Sequence, residues 1–210
     1  METLAYMIKQ RLPGMFRVIA VLAQWVVGMR FGRRLRRVQA QATIEGYVCG
    51  QTAVMRPLTV DDLGTLHDFL ETQPEDHLRY FHPHGFDRVA LRRVLASEAF
   101  LNYGLFVGDR LAAYALLKVA PTGSAFIGLL VHPDFAGQGL GRFIAQFLYW
   151  QASLAGLRAR STISRHNPAS LRSHEAVARL KVVAELPNDY LLIEFPPGAP
   201  EPPVLEANKG

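Results

Sequence analysis

The stretch Leu129-Leu-Val-His-Pro-Asp-Phe-Ala-Gly-Gln-Gly-Leu-Gly-Arg142 carries the clearest chemical signal in the chain. Gly137, Gly139 and Gly141 alternate through a turn that follows an apolar run. Behind them Phe143, Ile144, Phe147, Leu148, Gln151 and Leu154 recur at helical spacing. Glycine permits unusual dihedrals and a close backbone approach to a ligand. The first N–H groups of a helix lack intrahelical partners, and with the helix dipole they make an anion site suited to a pyrophosphate. A tight strand–helix connection with no ligand would use the same glycines. The spacing excludes a dinucleotide fingerprint, because the third glycine comes too early and no acidic residue follows a second strand about 20 residues on. It also excludes a Walker motif, since Gly-Lys-Ser/Thr is absent.

A second group of chemically capable residues lies between Pro74 and Asp87. It contains His77, Arg79, Tyr80, Phe81, His82, Pro83, His84 and Phe86. Tyr80, His82 and His84 are candidates for binding an acceptor, because imidazoles near neutral pH act as bases or hydrogen-bond partners. Aromatic anchoring with solvated histidines is the alternative. No cysteine or third ligand stands near the His-Pro-His step to complete a zinc site, so no metal is expected.

Several elements must position these groups. Ala53 to Leu58 reads as a strand, and Thr59 caps a helix with Asp61 and Asp62 in its first turn. Leu63, Leu66, Phe69 and Leu70 share a face of that helix, which Pro74 ends. Asp87 caps a second helix through Leu91, Val94 and Leu95. Tyr103–Val107 and Arg110–Val119 form a hairpin about Gly108-Asp109. Ala125–Val131 is nearly all apolar, which predicts a central strand buried on both faces. Arg158–Ile163 is a polar-alternating strand. Asn167 caps a helix with Pro168 in its first position, running to about Leu180. Val182–Glu185 and Tyr190–Phe195 make a last hairpin.

Composition bounds the rest. The chain has 210 residues, half of them apolar, enough for one domain with an extension. Its one cysteine, Cys49, allows no intramolecular disulfide and fits a reducing, cytoplasmic compartment. The net charge is +5, of which residues 1–50 carry +6 and the remaining 160 residues −1. The basic balance belongs to the N-terminal segment, so no nucleic-acid partner is expected. Residues 1–50 read as a basic, apolar helical extension, and residues 14–38 suit a membrane surface, such as the inner face, more than a span. Packing on the domain, a homodimer contact and a signal peptide ending near Ala40-Gln41-Ala42 are the alternatives. Residues 51–196 form the domain, and 197–210, rich in proline, read as disordered.

Val131-His132-Pro133 and Ala136-Gly137-Gln138-Gly139-Leu140-Gly141 resemble the GNAT acyltransferase superfamily, in which a strand ends in Val-x-Pro and the turn reads Gln/Arg-x-x-Gly-x-Gly/Ala. The resemblance extends from about Ala53 to Phe195. Ala136 stands where the family usually has Gln or Arg. The resemblance implies an α/β fold of the α+β mixed kind, with a mostly antiparallel central sheet flanked by helices and acetyl-CoA as acyl donor. It implies that Leu130 and Val131 offer main-chain groups to the pantetheine. Ala136, Gly137, Gln138, Gly139, Leu140, Gly141 and Arg142 then bind the cofactor, with Gln138 to Arg142 holding the pyrophosphate, and Asn167 bonds the pantetheine. Seven residues beyond Asn167 the family places a catalytic tyrosine, a position that His174 occupies here. The family's Gly-Phe after this helix is replaced by Arg179-Leu180-Lys181. The implied activity is N-acetylation of a primary amine on a small polar acceptor, such as an amino sugar, by direct attack in a ternary complex. A protein or peptide amine is one alternative acceptor, and a non-catalytic acyl-CoA-binding module is another reading. For a general base the candidates are His82, His84, and a water chain ending on Asp134 or Glu98.

Overall fold

A computed structural model describes the backbone of residues 13–198 and 201–207, with side chains from 19 to 198 and 201 to 206. The first twelve residues of the predicted extension, and residues 199–200 and 208–210 of the predicted tail, lie outside the described residues. Helix α1 spans Pro13–Ala40, and strands β1 (Ile44–Val48) and β2 (Gln51–Pro57) follow. A 3-10 turn, Val60–Asp62, leads into α2 (Leu63–Glu71), α3 (Glu75–Leu78) and α4 (Arg88–Leu95). Strands β3 (Phe100–Val107), β4 (Arg110–Val119) and β5 (Ser124–Val131) come next. After a 3-10 turn at Pro133–Phe135 come α5 (Leu140–Leu154), β6 (Arg158–Ser164), α6 (Pro168–Glu175), β7 (Lys181–Leu186), β8 (Tyr190–Glu194) and β9 (Glu206–Ala207).

The described strands form one sheet in the order β7-β8-β6-β5-β4-β3-β2-β1-β9. Only β5–β6 and β1–β9 are parallel. Neighbouring residues of β3 show the layering. Asn102 reaches Val94 O of α4 at 3.1 Å, while Tyr103 Oη donates to Gln151 of α5 at 3.0 Å. Successive strand residues point to opposite faces, so α4 and α5 cover opposite sides of the sheet. The caps form as the sequence predicts: Thr59 makes a capping box with Asp62, Asp87 accepts from Val89 and Ala90, and Asn167 accepts from Ser170.

Four boundaries differ from the sequence reading. Strand β1 pairs with β2 from Ile44↔Met55 to Val48↔Gln51, so the sheet begins before residue 51. The tail is ordered over 201–207: β9 pairs with β1, Tyr47 N donates to Leu205 O at 3.0 Å, and Leu205 is buried. An edge strand leaves unpaired backbone groups, and two paired residues with one apolar plug satisfy them without any periodic pattern. Helix α6 ends at Glu175, five residues before Leu180, because the chain must turn back to begin β7 at Lys181. Strand β5 is only half-buried at Phe126, Gly128, Leu129 and Val131, where it borders open space.

Helix α1 packs on the domain. Val27, Phe31, Leu35 and Val38 are buried in the core. Arg30 donates to Pro121 O at 3.1 Å, Arg34 donates to Ala155 O at 3.0 Å, and Arg36 pairs with Glu98. No helix among the described residues is long and apolar enough to cross a membrane.

Candidate acyl-donor cleft and acceptor pocket

Parallel pairing of β5 with β6 is confined to Ser124–Phe126 against Arg158–Arg160. Beyond it β6 pairs only with β8, and the two strands part. Ile127 O still meets Ser161 Oγ at 3.4 Å, whereas His132 N donates to Ala112 O beside β4 at 2.8 Å. The β4–β5 register is continuous, so backbone direction alternates along β5. The main-chain groups of Leu129 and Val131 therefore face the gap, and those of Leu130 face β4. This corrects the expectation for Leu130, whose side chain is buried and whose backbone is spent within the sheet. Residue parity in the strand decides it, and the backbone groups facing the gap are those of Leu129 and Val131.

The gap runs toward the glycine turn. His132 Nδ1 accepts from Asp134 N at 3.2 Å, which shapes the 3-10 turn leading in. Gly137 and Gly139 have φ of 76° and 77°, and a Cβ at either would meet nothing within 4 Å. The left-handed backbone requires glycine there, and the space above it is open. Gly139 caps α5 without a side chain, so the first N–H groups, from Leu140 to Arg142, have no cap. Ala136 and Arg142 are exposed and Gln138 is half-buried with Oε1 unpaired among the described residues. Gly141 differs, because a Cβ there would stand 2.6 Å from Ser173 Oγ. Its smallness lets α6 pack against α5. Asn167 spends Oδ1 on its cap, 3.1 Å from Ser170 N, and its Nδ2 has no bond among the described residues.

His174 is 1% exposed. Its Nδ1 donates to Ser170 O at 2.8 Å, its ring lies against Phe195, and Nε2 has no partner among the described residues. Burial pushes its pKa below the ordinary 6.5, against the opposing bond to Ser170. With the proton on Nδ1, a neutral His174 presents a lone pair at Nε2. Nδ1 is spent on Ser170 O, so Nε2 is the ring nitrogen left open.

On the α4 side of the sheet lies a cavity of about 670 Å³. The loop residues Tyr80, Phe81, His82 and Pro83 form one wall, and Leu116, Lys118, Phe126, Ile127 and Gly128 form its floor. Thr162 and Tyr190 close the β6 side. Ala20, Ala23 and Gln24 of α1 complete it, a contribution that no periodicity in the sequence announces. Among the described residues the lining contains no carboxylate, and Lys118 is the permanently charged side chain there.

Of the three loop candidates, Tyr80 and His82 line this cavity and His84 does not. His84 turns inward: Nδ1 donates to Gly85 O at 2.8 Å and Nε2 lies 2.9 Å from Tyr114 Oη. Tyr114 donates to Asn102 Oδ1 at 2.8 Å, and Asn102 Nδ2 is engaged with Val94 O. All these bonds together require His84 to donate from both nitrogens. Burial, aided by the charge of Lys118, opposes that and holds its pKa below 6.5 despite the bond to Gly85. In the neutral ring the single Tyr114 proton serves either His84 or Asn102. His84 thus fastens the loop to the sheet. Asn102 and Tyr114 escaped the sequence reading, although a lone Asn in an otherwise apolar strand is a usable signal.

The remaining base candidates are occupied. Asp134 bonds Arg110 at 2.8 Å, which holds its carboxyl below the usual range, and Glu98 pairs with Arg36. His67, Asp68 and Glu71 on α2 bring ligand atoms within 4.8 Å of one another, away from the cavity lining, and the two carboxylates are exposed.

The sequence pattern of the acetyltransferase (GNAT) family matches residues 65–178. The [ribosomal protein bS18]-alanine N-acetyltransferase of Salmonella typhimurium is 33% identical over 61 residues, which are 29% of this chain and 41% of that protein. The match thus spans less than half the length of that curated relative. The GNAT domain of S. lividans PAT superposes with a TM-score of 0.65 at 17% identity, covering 74% of this chain and 97% of that one. The aminoglycoside acetyltransferase AAC(6')-Ib, solved with coenzyme A and kanamycin, gives 0.53 at 17% identity, over 68% and 94%. With a family match over more than half its length and the splayed, mostly antiparallel sheet described above, this chain belongs to the acetyltransferase (GNAT) family.

Proposed function

We propose that the protein transfers an acetyl group from acetyl-CoA to a primary amine by direct attack in a ternary complex. The observation that carries this reading is the opening between β5 and β6 beyond Phe126, on a strand that lines the cavity at Phe126–Gly128 and leads at its end into the uncapped first turn of α5. The unpaired groups of Leu129 and Val131 suit the amides of the pantetheine arm. The uncapped N–H groups from Leu140 to Arg142, with the Arg142 guanidinium, suit the pyrophosphate. The donor supplies an activated acetyl group. The new N–C bond forms as the C–S bond breaks, one proton leaves the amine, and one joins the departing sulphur.

His82 is the residue we assign to take up the amine proton. It is exposed at the cavity wall, and no hydrogen bond holds it among the described residues. The amine must be neutral to attack, and a base at the cavity wall removes its proton. His174 remains in this reading as a buried acceptor that supports α6.

The lining also bears on the acceptor. A polycationic amino sugar calls for carboxylates, and none lines this cavity among the described residues. An amine on an apolar body fits better than the small polar acceptor expected from the sequence. A peptide α-amine is the second reading, favoured by the relative that acts on a ribosomal-protein alanine. Calorimetric titration of acetyl-CoA into the full chain, followed by a thiol-release screen over amphiphilic amines, amino sugars and peptides, tests the scheme. Micromolar binding with turnover on an apolar-bodied amine is expected. Binding with no turnover on any amine would favour the non-catalytic module.

A further inference from the structure

We propose that the outer face of α1 seats the protein on an anionic bilayer surface. Leu22, Trp25, Val26 and Met29 are 56%, 62%, 39% and 70% exposed. Their spacing of three and four residues sets them on one side of the helix. The opposite side is fixed, since Val27, Phe31, Leu35 and Val38 are buried against the domain. The apolar stripe is therefore held outward by packing.

The charge pattern names the partner. Along the same outer side the stripe gives way to Arg33 and Arg37, which are exposed and form no ion pair among the described residues. From Pro13 to Ala40 the helix contains no aspartate or glutamate. An apolar strip ending in unneutralised arginines matches a surface that is apolar within and negative at its boundary, which is an anionic bilayer. A second copy docked through this helix would add arginines and no countercharge. No helix among the described residues is long and apolar enough to cross a membrane, so in this proposal α1 lies in the interface. Ala20, Ala23 and Gln24 on its inner side line the acceptor cavity. Seating α1 would bring that cavity within about one helix diameter, ~10 Å, of the lipid.

The test is co-sedimentation of the full chain with phosphatidylcholine vesicles and with phosphatidylcholine–phosphatidylglycerol vesicles. We expect binding to the mixed vesicles, about tenfold or more weaker binding to phosphatidylcholine alone, and weakening with salt. Trp25 emission should shift to the blue on the mixed vesicles. The variant L22S/W25S should lose binding, and R33E/R37E should lose the preference for anionic lipid. Unchanged circular dichroism and acetyl-CoA affinity would show that both variants fold. No binding to mixed vesicles, or equal binding to both kinds, overturns the proposal. So does a dimer in solution that L22S/W25S dissociates, which would make the stripe a contact between copies. None of these outcomes depends on acetyl transfer.

Discussion

Gly141 and Ser173 hold α5 and α6 together by near contact, since a methyl group at position 141 would stand 2.6 Å from the serine hydroxyl. That hydroxyl donates to Ala169 O at 2.9 Å, so it cannot swing away without losing a bond. Gly141→Ala is expected to cost about 1–3 kcal/mol of stability by overpacking. Adding Ser173→Ala should recover much of it. Urea unfolding of the two variants and the wild type checks this, and a Gly141→Ala protein as stable as wild type would refute the packing role.

Gly139 answers to a different constraint. Its φ of 77° is left-handed, and nothing of the protein blocks a side chain there. Gly139→Ala should cost about 1–2 kcal/mol in backbone strain and weaken acetyl-CoA about tenfold by intruding on the open anion site. Calorimetric titration reads the second effect. Unchanged affinity would mean that the turn is only a connection.

The Tyr114 hydroxyl is the hinge of the buried chain from His84 to Asn102. Tyr114→Phe leaves Asn102 Oδ1 and one His84 nitrogen without their partner. A loss of about 1–3 kcal/mol is expected for such an orphaned buried acceptor. A double-mutant cycle with His84→Ala should show coupling, and strict additivity would break the chain as a unit.

Acid should weaken the fold through His84 and His174. Burial lowers both pKa values below 6.5, so the unfolded chain binds these protons more readily than the folded one. Their contribution is whole above pH 6.5 and drains away as pH falls below it, through the lowered folded values. Urea midpoints should fall between neutral pH and about pH 5. His174→Leu should show a smaller fall, and, if His174 is no proton donor, should keep acetyl-CoA binding and turnover.

His82 should be felt in the rate and not in the fold. His82→Ala is expected to lower kcat/KM about a hundredfold, within the usual range for a general base, with stability unchanged because the side chain is exposed. The loss should fall on kcat, with acetyl-CoA affinity unchanged. An unaltered kcat/KM would assign the proton to solvent.

Patterns of neighbouring residues determined much of this protein on their own. The caps at Thr59, Asp87 and Asn167, the hairpin at Gly108-Asp109 and the apolar face of α2 all sit where the chain spells them. Each is decided within a few residues, by a side chain satisfying a backbone N–H or by helical spacing. The glycine turn was legible for the same reason, as a positive φ is a local demand.

Only the tertiary structure decided the rest, because those features depend on what lies across space. The parity of β5 gave the cleft to Leu129 and Val131 and took Leu130 from it. The same apolar helix that read as membrane-facing or packing proved two-sided, with Phe31 and Leu35 inward and Leu22 and Trp25 outward. Leu205 left a featureless tail to cover an edge strand. Only the assembled chain buries His174 against Phe195, and that burial lowers its pKa, which no local pattern announces. Desolvation and strand pairing between distant segments are properties of the assembled chain, and no window of sequence contains them.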